Sequence, residues 1–111
     1  MKHDSRPAKE WKSLVEVLSD LLASRLGVTE ACRKVVALRH ALGEESNELF
    51  LPFVGVESET DTFPLGEVRS RWSLSALGRE DAERTQYEQL CRPSLVEASE
   101  KLLQYARRHA L

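Results

Sequence analysis

The chain has 111 residues, 41% hydrophobic and 31% charged, with 16 Lys and Arg against 18 Asp and Glu for a formal net charge of -2. That is the make-up of one folded domain able to close a core without disulfides or metals. Near-neutral charge argues against a nucleic-acid surface, which needs concentrated basic charge, and no apolar run reaches the ~20 residues of a membrane span.

At the N-terminus, M-K-H-D-S-R-P leads into a charged amphipathic segment rather than the apolar run of a signal peptide. A single helical domain over residues 1–111 is expected, with residues 1–6 flexible and a cytoplasmic location. From Pro7 to Leu26, Trp11, Leu14, Val15, Leu18, Leu21 and Leu22 recur at helical steps on one face. Pro7 suits a first turn and Gly27 a stop. Thr29 then reads as the cap of a second helix, about Glu30–Leu42, closed by Gly43, with a stripe of Val28, Ala31, Cys32, Val35, Leu38 and Leu42. Arg39 projects from that stripe, where a cation needs either water or an acid.

Between Glu44 and Ser73 the periodicity breaks. L-F-L-P-F-V-G-V has strand-like residues, but Pro52 and Gly55 argue against a central strand, leaving a helical turn or an extended packed segment. Glu67–Trp72 reads as a short helix turning Val68 and Trp72 inward. Ser73 suits the cap of a last helical region. Its rhythm of Tyr87, Cys91, Leu95, Ala98, Leu102 and Tyr105 continues across Pro93, consistent with one kinked helix or two helices meeting near Arg92. The expected fold is all-α, a small four-helix-type bundle with an irregular central segment.

Chemistry-bearing patterns are few. Glu57, Glu59 and Asp61 imitate the alternate acids of a calcium loop, but the sixth and twelfth positions hold Thr62 and Val68 instead of Gly and Glu. His3, His40 and His109 are scattered, and Cys32 and Cys91 lack CxxC spacing, so no metal or other cofactor is expected and the cysteines read as buried thiols. Arg33 and His40, seven residues apart on one helical face, resemble the Arg–His motif of HEPN-type helical ribonucleases. The polar residue that usually follows the arginine is Lys34 here.

The stretch G-V-E-S-E-T-D-T-F-P-L-G lies between apolar anchors that should hold it on the body. Within it, Glu59 or Asp61 is expected to pair with Arg39, with Arg69 and Arg71 as further partners. Glu57, together with Glu44, Glu45 and Glu48, would face outward toward a binding partner.

V-T-E-A-C-R-K-V-V-A-L-R, F-V-G-V-E-S-E-T-D and P-L-G-E-V-R-S-R-W together resemble small bacterial all-helical domains of unknown function, over most of the chain from Val28 onward. The resemblance brings no catalytic residues. By size, class and charge such proteins are similar to immunity proteins, which cover the active site of a toxin. The expected function is therefore non-enzymatic binding of another protein, concretely inhibition of a basic toxin domain, without nucleic acid or membrane. The alternatives are a HEPN-like ribonuclease using Arg33 and His40 and a structural subunit dimerising through the C-terminal helix.

Overall fold

In the computed structural model, which describes residues 6–110, the first helix, α1, runs Arg6–Leu22 and buries Trp11, Leu14, Leu18 and Leu21. It stops one turn earlier than the apolar pattern suggests. Ser24 takes a left-handed φ of 61°, its amide donates to the Leu21 carbonyl at 3.1 Å, and the Arg25 amide donates to Asp20 at 2.8 Å. This is a Schellman stop, built on serine rather than glycine. The flexibility expected for residues 1–6 falls outside the described residues, except for Arg6, where α1 begins.

Gly27 is not the end of α1. It is the extended cap residue of α2, Val28–Ala41, and offers no side chain to the free amides there. Thr29, expected as that cap, is buried inside the first turn. The far end of α2 closes as the sequence suggests, on Gly43 with φ 68° and a Glu44 amide donating to Arg39 at 2.9 Å.

The ambiguous L-F-L-P-F-V-G-V segment is helical. Asn47 accepts from the Leu49 amide and opens a 3-10 turn, Glu48–Phe50, which leads into α3, Leu51–Glu59. Pro52 sits in the first turn of α3, where its missing donor costs nothing. A second 3-10 turn, Gly66–Arg71, precedes α4, Leu74–His109, a single helical run of 36 residues through Pro93. Ser73 caps α4 by accepting from the Ala76 amide at 3.2 Å.

The chain is thus an all-α bundle, and no strand occurs among the described residues. None of their helices is long and apolar enough to cross a membrane. Helix α1 packs against both α2 and α4, and α2 packs against α3. Contact between α3 and α4 is sparser. Trp11 meets Tyr105 near one end of α1, and the Leu21 carbonyl meets Arg92 near the other, so α1 runs antiparallel to α4. At 1.5 Å per residue α1 spans about 25 Å and α4 about 54 Å. Helix α1 therefore covers α4 only from about Arg92 onward. The molecule is correspondingly elongated, 55 × 28 × 24 Å, with a radius of gyration of 15.2 Å. About 13 Å would be usual at this length.

This geometry corrects one expectation. Val68 and Trp72, expected inside, are 42% and 37% exposed, because the bundle does not extend to the start of α4.

Candidate functional site

Three helix ends are closed by side chains from other helices, and these contacts set the frame around the site. Glu88 of α4 accepts from the Thr29 amide at 2.9 Å and from the Thr29 hydroxyl at 2.7 Å. It supplies the anionic cap that Gly27 cannot, at the positive end of α2. One turn later, Arg92 donates to the Leu21 carbonyl and to the Ser24 hydroxyl, placing a cation at the negative end of α1. Arg33 of α2 donates at 2.8 Å to the carbonyls of both Thr60 and Phe63, where α3 ends.

That last contact replaces the expected ion pair. Arg39 does not reach Glu59 or Asp61. It donates to the Glu45 carbonyl at 2.8 Å, and its buried Nε has no partner. Arg39 lies in the last turn of α2, beside its own loop, whereas Arg33 is nearer the α3 terminus. The acidic stretch is indeed clasped by an arginine, but through main-chain carbonyls, so Glu59 and Asp61 remain exposed. Arg69 pairs elsewhere too, with Asp81 through two 2.8 Å hydrogen bonds. The guanidinium holds the Asp81 carboxyl below its ordinary range, and Asp81 in turn raises Arg69. Arg71 is exposed and forms no ion pair among the described residues.

The acids expected to face a partner divide. Glu44 accepts from Asn47 at 2.9 Å and from the Tyr105 hydroxyl at 3.3 Å. Burial, and then the Glu44 charge, push Tyr105 upward. Glu45 sits 3.2 Å from Nδ1 of His40, and its carboxyl is lowered first by its own backbone amide and then by His40. Glu57 is half-buried, away from the groove described next. Glu48 alone among the four lines a groove.

That groove opens where α3 and α4 separate. One section, of about 610 Å³, is lined by Asn47, Glu48, Leu49, Pro52, Ser94, Glu97, Ala98 and Lys101. The adjoining section, of about 390 Å³, shares Pro52 and Ser94 and adds Gly55, Val56, Glu59, Tyr87, Cys91 and Leu95. Its walls are helical stripes, Pro52–Gly55–Val56–Glu59 on α3 and Tyr87–Cys91–Ser94/Leu95–Ala98–Lys101 on α4. Pro52, Gly55, Ser94 and Ala98 are too small to close the gap. A Cβ added at Gly55 meets nothing within 4 Å. The rim carries Glu48, Glu59 and Glu97 against Lys101.

Arg33 and His40 are not brought to one groove. Arg33 is engaged at the end of α3, and His40 faces Glu45 with its side chain 60% exposed. No three His, Cys, Asp or Glu among the described residues converge as a metal set. Cys32 is buried, and burial pushes its thiol up to about 12. Sequence reasoning missed Arg33 as a clasp, Glu88 and Arg92 as caps, and the groove itself. The signal for the caps was present as charges inside the apolar rhythm of α4. In the sequence Gly55 signals only a strand breaker, whereas in the fold it leaves space. No protein-family model, curated protein or solved structure matches the chain.

Proposed function

We propose that this chain is a non-enzymatic, cytoplasmic protein-binding domain and that the groove between α3 and α4 is its binding surface. The observation that carries the reading is an open apolar channel with a predominantly acidic rim. In its concrete form the protein is an immunity-type inhibitor that covers a basic surface of a toxin. Complementary charge would then speed encounter and select the partner. The earlier acid set contracts to Glu48, joined by Glu59 and Glu97. Tyr105 and His40 already occupy Glu44 and Glu45.

The test is a photo-reactive phenylalanine placed at Gly55 in cells, with Glu100 on the far side of α4 as control. The expected result is an adduct from position 55 only, to a protein whose activity is lost on mixing with the purified chain. No adduct, or the same adduct from both positions, overturns the reading.

The exposed Leu90, at 80% and on the part of α4 that α1 leaves uncovered, favours one second reading, a dimer formed through α4. Light scattering that shows a monomer at high concentration discards it.

A further inference from the structure

The groove also constrains what can occupy it, and this inference rests on the binding role just proposed. We infer that the occupant is a basic amphipathic helix of about four turns, laid lengthwise between α3 and α4. Three observations converge on it.

The first is the lack of a sheet edge. The described residues contain no strand edge for a partner to pair with, and an elongated groove walled by two helices is the setting of helix-in-groove binding. The second is shape. From Tyr87 to Lys101 the α4 wall runs for about 21 Å, the length of a helix of about 14 residues. Pro52 and Gly55 on one wall and Ser94 and Ala98 on the other hold the floor low, so an incoming helix can seat a ridge of large apolar side chains between them. The floor offers Leu49 and the ring of Tyr87 to that ridge, over the buried Val56 and Leu95.

The third is charge. Glu48 stands near one end, Glu59 near the other and Glu97 on the opposite wall, with Lys101 the lone cation of the rim. Lysines or arginines on both flanks of the ridge meet carboxylates. Acidic flanks meet repulsion.

The test uses three synthetic peptides of about 14 residues, a length set by the helical rise. One has a leucine ridge flanked by Lys and Arg, one has the same ridge flanked by Glu, and one is the basic peptide with a central Pro. Each is titrated into the full chain labelled for amide NMR. The basic peptide should shift the amides of Gly55, Ser94 and Ala98. The acidic version should bind at least about tenfold more weakly, the sum of several modest rim pairs, and the gap should shrink as salt rises. The Pro version should lose binding, because its helix is broken.

Gly55→Trp fills the channel from a position with open space and should abolish binding while the chain stays folded by circular dichroism. Should that variant unfold, Glu59→Lys with Glu97→Lys, both at exposed sites, must reverse the preference between the basic and acidic peptides. Equal binding of the acidic or Pro-broken peptide, or shifts remote from the groove, overturns the inference. A position-55 adduct in cells that the basic peptide fails to displace leaves the binding role standing and removes the helical, basic occupant. Absence of any such adduct removes the role itself.

Discussion

Helix α4 contains two different structures in one unbroken run. After Pro93 its inner row is Leu95, Ala98, Leu102 and Tyr105, and it buries Leu95, Ser99, Leu102, Leu103 and Ala106. Before Pro93 the same row, at the same three- and four-residue steps, reads Leu74, Leu77, Asp81, Arg84, Glu88 and Cys91, and nothing there is buried. The half after Pro93 is held by apolar area against α1 and the half before it by a ladder of charge. Arg69 bonds Asp81, and Arg84 lies 3.5 Å from Asp81 and 3.9 Å from Glu88, which caps α2. The lesson is that periodicity gives the direction a helix faces, while the length of its neighbour decides what that face can be made of.

The comparison can be broken most forcefully in the covered half. Leu102→Ala should destabilise by about 2–5 kcal/mol in a denaturant melt, since Leu102 is fully buried. A smaller effect would mean that α1 grips α4 less than its geometry implies. Glu88→Ala comes next. It leaves the buried Thr29 amide and hydroxyl without their acceptor, at about 1–3 kcal/mol. Glu88→Gln should recover part of that loss, and an unchanged melting temperature for Glu88→Ala would remove the capping role.

The charge ladder sharpens the comparison through pH. Because the native carboxyl of Asp81 is depressed by Arg69, its contribution is complete above the ordinary carboxylate range. It fades as pH falls through that range toward the lower native value. The melting temperature should therefore drop on acidification, and Asp81→Asn should lower it at neutral pH and flatten the acid slope. An acid slope identical in both proteins would sever the link. Smallest of all, Leu74→Ala should change stability by no more than about 0.5 kcal/mol, as expected for so exposed a side chain. Hydrogen exchange gives an independent view. Amides from Ala76 to Gln86 should exchange ahead of those from Val96 to Ala106.

Much of this was legible in the sequence. Amphipathic spacing located α1, α2 and the buried half of α4, and Ser73 and Gly43 marked real boundaries. Those signals are local, and each reads the same wherever the chain lies. Ser24 was harder, because a left-handed stop without glycine leaves no compositional mark. The clasp was half legible. The sequence points to an arginine near the acidic stretch, but the apolar stripe singles out Arg39 and the run of acids singles out carboxylates as acceptors. Main-chain carbonyls at a helix end carry no sequence signature, so Arg33 could be recognised only once α3 was known to end at Glu59. The groove was illegible for a related reason, since a gap is the absence of side chains on two segments distant in sequence.

The spacing of charges around Glu88 has one further consequence. Four residues on either side of it stand Arg84 and Arg92. Were α4 to slide along its axis by one turn, about 5.4 Å, in either direction, an arginine would arrive at the amides that begin α2. A cation facing the positive end of a helix is repelled, so both neighbouring positions are penalised while the native one is favoured. The apolar row beyond Pro93 could re-pack after such a step with far less discrimination. The three residues thus act as a detent, holding the long helix at one axial register against α1 and α2.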